Sequence, residues 1–379
     1  MGRVISLTIL RAKIGNATLG AADTINAHTV CPHSVSLRGL FKAFPTLIVC
    51  LALVPAAFAA HAEKRLQIYF IDVEGGQSTL VVTPSGQSLL IDTGWPGVSG
   101  RDADRIVATA HAAGLNHIDY VLITHYHDDH VGGLPQLLER IKVGTLVDHG
   151  PNQEDSDATR RNYDAYEKAI GVHPHIVATP GMGLPLKGLE VHILSAAGNL
   201  IQSPFPGAGT ANPYCSTEPA PEEDITENAR SLGLLMQHGS FRFLDLGDLT
   251  KKKELELVCP NNLIGTADLF LVTHHGSDLS NSKALVWSVH PRVAIFDNGA
   301  HKGASPAAWQ IVHDSPGIED VWQLHYAMNS DEEHNVVAER VANPSEQPDG
   351  QYIKVEASSD GTFTVTNSRN GIHQTYAKK

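Results

Sequence analysis

The chain has 379 residues, 42% of them hydrophobic and 18% charged, with a formal net charge of −13. That is enough apolar content for one large domain or two ordinary ones. A surface this acidic repels a polyanion, which argues against a long nucleic-acid substrate and leaves small molecules open.

Residues 1–62 read as a signal or leader segment. Phe44 to Ala60 is apolar and uncharged, follows Arg38 and Lys42, and leads through small residues to Glu63-Lys64-Arg65. This is the order of a secretory signal, too short and too broken by proline for a comfortable membrane span. The stretch ahead of that core is longer than a signal needs, which points to a start near Val35 or Leu37. The alternative is a cytoplasmic tail with one anchor helix. Cleavage leaves 63–379 as a secreted or periplasmic domain without a stable membrane span, carrying 23 basic and 40 acidic groups, a net charge of −17. Cys215 and Cys259 are the cysteines it retains, and in an oxidising compartment they are free to pair; spacing alone does not decide this.

In the remaining chain, Leu66 to Val73, Ser78 to Thr83 and Ser88 to Ile91 alternate as strands separated by tight turns, a meander expected at the edge of a mixed sheet. A helix follows over Asp102 to Ala113, then a β-branched strand over Tyr120 to Thr124, a helix over Leu134 to Ile141 and a strand over Val143 to Val147. Asp157 to Ile170 reads as a charged helix, with strands at Val177 to Pro180 and Leu189 to Leu194; 203–227, rich in Pro, Gly and acidic residues, reads as a surface loop. Ser231 to Gln237 and Phe241 to Leu246 form a hairpin. Helices over Lys251 to Val258, Asn281 to Ser288 and Pro306 to Asp314 alternate with strands over Leu269 to Thr273, Arg292 to Asp297 and Asp320 to His325. A last hairpin joins Tyr352 to Ala357 with Thr362 to Asn367, and 298–379 is expected to pack on the domain as an extension. The pattern carries no signal for an oligomeric state.

The chemistry concentrates at strand ends. His125-x-His127-x-Asp129-His130 follows a buried strand directly, and imidazole with carboxylate at that spacing suits zinc and similar divalent ions. Asp92, Asp248 and His274-His275 also follow apolar strands, and strand ends of one sheet gather at one edge. Each has a plainer reading singly, as a turn, a helix cap or a loop.

The series resembles the metallo-β-lactamase fold superfamily: Asp92 in its first motif, His125 to His130 in its second, Asp248 in its fourth and His275 in its fifth. It is most similar to the branch typified by the hydrolase domain of the bacterial competence (DNA-uptake) channel. The shared features are Asp72-Val73-Glu74-Gly75-Gly76-Gln77-Ser78, Asn228 with Ser231 before the strand leading to Asp248, and His274-His275-Gly276-Ser277. The resemblance implies an α/β four-layer αββα sandwich of two mixed sheets flanked by helices. It also implies one or two zinc ions, with manganese as a substitute. His125 and His127 would hold the first metal, Asp129, His130 and His275 the second, and Asp248 would bridge them. Asp92 would orient a ligand histidine, and His274 would lie behind the ligands or face the substrate's developing anion.

The chain departs from the pattern at the third motif, where a further histidine is usual. His149, at a strand end in Asp148-His149-Gly150, is the best-placed candidate; His192 lies inside a strand. Without such a ligand the first metal is weakly held. His301-Lys302 and His325 contact either substrate or only packing and solvent. The implied activity is that of an exported hydrolase using metal-activated water, with Asp129 or Asp248 orienting it, on a small phosphoester or phosphodiester. The alternatives are a lactone or β-lactam substrate, or a secreted metal-binding module that has lost catalysis.

Overall fold

A computed structural model describes residues 64–379 other than 172, 217–220 and 347–348. The leader expected over 1–62 lies outside the described residues. The first sheet begins with β1 (Leu66–Phe70), β2 (Thr79–Val82) and β3 (Ser88–Ile91), an antiparallel meander. Helix α1 (Arg101–Ala112) crosses to β4 (His117–Leu122). Two short helices, α2 (Asp128–Val131) and α3 (Leu134–Leu138), lead to β5 (Lys142–Asp148). Helix α4 (Asp157–Ile170) then leads to β6 (His175–Val177). From β3 to β6 all pairings are parallel, which is why each step needs a helical crossover.

The second sheet opens antiparallel, with β7 (Gly183–Leu184), β8 (Glu190–Ala196), β9 (Asn199–Leu200), β10 (Gly233–His238) and β11 (Phe241–Asp245). It continues parallel through α5 (Lys251–Val258), β12 (Leu269–Leu271), α6 (Lys283–Val289), β13 (Val293–Phe296), α7 (Pro306–His313), β14 (Asp320–His325) and β15 (Val341–Asn343). The chain then returns to the first sheet with β16 (Ile353–Ala357), β17 (Phe363–Asn367) and β18 (His373–Tyr376).

Strand periodicity explains the layering. In β1, Ile68 and Phe70 face the second sheet, packing in one core with Leu234, Met236 and Phe243, whereas Tyr69 joins Ile106 and Leu134 beneath the helices of the first half. On the far side, Leu244, Phe270 and Ala294 meet Leu257, Leu285 and Val312 of α5, α6 and α7. Three apolar layers separate four structural ones, giving the αββα sandwich of two mixed sheets.

Several local readings shift. The meander expected at a sheet edge lies inside the sheet, because β16 pairs with β1 from Leu66↔Ala357 to Phe70↔Ile353 and covers an edge that would otherwise expose unpaired backbone. The helix expected over Leu134 to Ile141 ends at Leu138, and β6 starts ahead of the strand expected at Val177. The residues after 298 supply β14 and β15 to one sheet and β16 to β18 to the other. Among the described residues of 203–227 there is no strand or α-helix. This loop is fastened by a disulfide between Cys215 and Cys259 and by Asn212 Nδ2 donating to the Val258 carbonyl at 3.1 Å. Among the described residues no helix is long and apolar enough to cross a membrane.

Candidate metal centre

The centre is assembled from the C-terminal ends of β3, β4, β11 and β12. Asp92, just past β3, adopts a left-handed backbone (φ 59°), and its fully buried carboxylate faces three donors. Thr124 N–H donates to Oδ1 at 2.7 Å; Thr124 Oγ1 and His130 Nδ1 donate to Oδ2 at 2.6 and 2.7 Å. That contact keeps the imidazole proton of His130 on Nδ1 and leaves Nε2 as a ligand-ready acceptor. The histidine stretch is only partly a loop: Asp129 and His130 sit on the short helix α2, which buries both. Gly76 permits the close approach of the first turn, since a Cβ there would collide with the Asp129 carbonyl.

Asp248 follows Gly247 beyond β11, and its N–H donates to Ser231 Oγ at 3.2 Å. After β12, both His274 and His275 hold left-handed backbones, φ 57° and 53°, a costly pair for non-glycine residues. They are held by His274 N–H donating to the Gly247 carbonyl at 2.9 Å and by the His275 carbonyl accepting from Ala304 N–H at 2.8 Å.

Asp129, His130, Asp248 and His275, all buried, converge with ligand atoms within 4.8 Å of one another. His130 Nε2 lies 3.3 Å from Asp248 Oδ1 and 3.4 Å from Asp129 Oδ2; His275 Nε2 lies 3.2 Å from Asp129 Oδ2 and 3.5 Å from Asp248 Oδ1. The two Nε2 atoms face each other at 3.3 Å. Asp297 Oδ1 stands 3.3 Å from His275 Nδ1 but, unlike Asp92 on His130, makes no hydrogen bond to it. The donor set fits a divalent cation. Asp248 Oδ1 is buried with no hydrogen-bond partner, and two acceptor nitrogens pointed at each other beside two carboxylates need a shared positive charge. In the metal-free chain protons supply it: burial opposes the charge, yet Asp248, Asp129 and Asp92 hold the His130 imidazolium well above its ordinary pKa. A cation binding there displaces a proton.

His125 and His127 form an adjoining group outside that set. His125 Nε2 is 3.0 Å from His127 Nδ1 and 3.9 Å from Asp248 Oδ2, so Asp248 lies between the two groups. His127 Nε2 meets Glu154 Oε2 at 3.1 Å. His274 Nε2 lies 3.3 Å from Asp248 Oδ2. The expectation for His149 needs correction. Its Nε2 is engaged by the buried Glu227 carboxylate at 2.9 Å and its ring packs on Tyr126, so it serves the wall behind the histidine loop and is absent from the ligand cluster. His192 packs on Phe205, and His301 is exposed near Glu346. His325 Nε2 bonds Asp72 Oδ1 at 2.6 Å; Asp72, Glu74 and His325 form a second acidic group, but Arg105 Nη1 already neutralises it, 3.0 Å from both Asp72 Oδ2 and Glu74 Oε1.

Sequence reasoning assigned no role to Glu154, Glu227 or Asp297, and left Lys302 undecided. Lys302 reaches Asp129, and the Glu227 N–H donates to Glu154 Oε2 at 2.8 Å. These partners are far apart in sequence, and a lone acidic residue in a loop gives no local signal. Segments that follow Asp248 and His275 in sequence also line a cavity of about 440 Å³ with Asn228, Thr250, Lys251, Asp278 and Leu279, and no residue of the cluster lines it.

With that geometry in view, the comparisons are direct. The metallo-beta-lactamase superfamily model matches residues 71–199. ComE operon protein 3 of Bacillus subtilis is 25% identical over 248 residues, 62% of this chain and 28% of that protein. Beta-lactamase-like protein 2 homolog of Caenorhabditis elegans is 31% identical over 111 residues, 28% of this chain and 37% of that protein. Hydroxyacylglutathione hydrolase of Stenotrophomonas maltophilia is 31% identical over 103 residues, 27% of this chain and 37% of that protein. The chain therefore spans well under half the length of these relatives, and the family match covers the motifs built on Asp92 and on His125 to His130. Residues 71–199 thus match the metallo-beta-lactamase superfamily model, and the two mixed sheets flanked by helices, with the cluster at their strand ends, agree with that fold.

Proposed function

We propose that the chain is an exported metal-dependent hydrolase acting on a small phosphoester or phosphodiester. The observation that carries the hydrolase reading is the cluster itself: two imidazole Nε2 atoms, that of His130 backed by the buried Asp92 carboxylate, facing Asp129 and Asp248 across 3.2 to 3.5 Å. Asp129, His130, Asp248 and His275 would hold the firmer ion, and His125 and His127 with Asp248 a weaker one, since among the described residues no third histidine joins them. Nitrogen and carboxylate donors suit zinc, with manganese as a substitute. Such an ion supplies Lewis acidity and a water acidic enough to ionise near neutral pH.

The residues do the rest. Asp248 and Asp129 orient the attacking water, which releases a proton to solvent; water oxygen joins phosphorus, the bond from phosphorus to the leaving oxygen breaks, and the alcohol departs with a proton from solvent. His274, beside Asp248, faces the charge that develops on the phosphoryl oxygens. The Glu154 carboxylate orients His127, and burial keeps His274 neutral at physiological pH by pushing its pKa down.

A phosphoester is favoured by the His-His-Gly-Ser motif, which resembles that of the competence-channel hydrolase branch, and the acidic surface favours a small one. The hydroxyacylglutathione hydrolase relative supports a second reading, an ester or lactone substrate. Export is supported by the order of residues in 1–62 and by the Cys215–Cys259 disulfide, which suits an oxidising compartment. The test is turnover of zinc- and manganese-loaded protein on bis-p-nitrophenyl phosphate, p-nitrophenyl phosphorylcholine, a lactone and nitrocefin. Phosphoester turnover above the other two supports the proposal, and silence on all four overturns it. Sequencing the N-terminus of protein recovered outside the cytoplasm tests export.

A further inference from the structure

We propose that Lys302 is the anion receptor of this centre, binding a phosphoryl oxygen of the substrate beside Asp129 and His275. The inference deepens the hydrolase reading above and rests on it for the identity of the oxyanion. Lys302 lies in the loop after β13, and its ammonium contacts the Asp129 carboxylate, donates to the Gly75 carbonyl at 2.8 Å and stands 5.0 Å from the centre of the Trp95 ring.

The position is built. Gly75 has φ +81°, and a Cβ added there would lie 2.8 Å from Gly299 N and 3.2 Å from Lys302 Cβ, so the first glycine turn and the Gly299–Lys302 loop interlock. Gly299 N–H donates to the Lys302 carbonyl at 2.9 Å, and Ala304 N–H ties the same loop to the His275 carbonyl at 2.8 Å. The lysine is thereby fixed to both the glycine motif and a cluster histidine.

The chemistry follows from the donor count. An ammonium has three N–H donors; Gly75 and Asp129 take two, and the third is left for a ligand. Asp129, His130, Asp248 and His275 are buried, but 38% of the Lys302 side chain remains exposed, so its charge stands where the cluster opens to solvent. A substrate oxygen arriving there meets a fixed positive charge, and Trp95 offers an apolar face to the organic group. A bond from an ammonium to a phosphoryl oxygen is among the stronger protein hydrogen bonds.

The experiment uses the full chain loaded with zinc, in wild-type, Lys302→Met and Lys302→Arg forms, with inorganic phosphate as the probe in calorimetric titrations and zinc content measured in parallel. The Met variant is expected to keep its zinc and to bind phosphate about tenfold or more weakly. The Arg variant, which keeps the charge, is expected within about threefold of wild type. For the Met variant, kcat/KM on bis-p-nitrophenyl phosphate should fall by a similar factor. Unchanged phosphate binding in the Met variant, absence of phosphate binding in the wild type, or loss of zinc overturns the assignment. Tighter zinc with unaltered phosphate binding also overturns it, and makes Lys302 a counter-ion only. If wild type binds phosphate through Lys302 but leaves bis-p-nitrophenyl phosphate intact, the phosphodiester reading fails and the receptor stands.

Discussion

Replacing Asp92 by Asn tests whether the centre depends on the protonation pattern imposed behind it. The side-chain volume is kept, and asparagine tolerates the left-handed backbone at φ 59°. All three neighbours of the carboxylate are donors: the Thr124 N–H at 2.7 Å, the Thr124 hydroxyl at 2.6 Å and the His130 Nδ1–H at 2.7 Å. Whichever way the new amide turns, its NH₂ faces an N–H. Against the Thr124 backbone the clash has no remedy. Against His130 it is relieved only by moving the imidazole proton to Nε2, which turns the ligand atom into a donor aimed at Asp129 and Asp248. Loss of such an outer partner lowers metal affinity about 10- to 100-fold, or about 1.4–2.7 kcal/mol. Competition for zinc against a chromophoric chelator at fixed pH measures it, with His130→Ala as the reference for full loss and the urea midpoint of metal-free protein as the check on folding. An Asp92→Asn affinity within twofold of wild type, with folding intact, would refute the role given to Asp92.

Three further outcomes are expected. His149→Ala should leave zinc content at the wild-type level while unpairing the buried Glu227 carboxylate at a cost of about 1–3 kcal/mol; loss of zinc in that variant would return His149 to the ligand set. The buried Asp245 carboxyl is pushed up from 3.8 to about 7, first by burial and then by Asp92 and Asp297. A folded pKa above the unfolded one means its stability contribution is complete below about pH 4 and is lost as pH rises through about 7. Denaturation of metal-free Asp245→Asn should therefore match wild type near pH 4 and exceed it above pH 7, by up to about 4 kcal/mol; a pH-independent offset contradicts this. Double replacement of Cys215 and Cys259 by Ser opens a loop of sequence separation 44 and should cost about 4 kcal/mol by chain entropy. Equal stability of oxidised wild type and the double variant would show that the loop is held by its other contacts.

What could be read from the sequence follows from range. The alternation in β1 and the apolar runs of β4, β11, β12 and β13 are local patterns, and the layers they imply are the layers observed. Strand-end placement of Asp92, Asp129, His130, Asp248 and His275 was equally local, and sheet geometry brings those ends together. The edge strand β18, His373 to Tyr376, is largely exposed and polar and has no core face to announce it. The pairing of β1 with β16 joins opposite ends of the domain, which no periodicity encodes. The search for a third histidine ran along the sequence and met His149 at a strand end, but strand-end position does not fix where a side chain points. Here a buried glutamate from a distant loop, Glu227, engages the imidazole Nε2 at 2.9 Å. Lys302 was visible as a residue but not as a neighbour of Asp129, because 173 positions separate them.

The pairing of β1 with β16 also sets an order of events. The strand that starts the first sheet finds its second neighbour only when Ile353–Ala357 is available, so the sheet cannot close before β16 has been made. Such long-range pairing slows folding. A chain cut ahead of β16 would lose β16 to β18 and strip the cover from a strand that sits beside the glycine turn packed on Asp129.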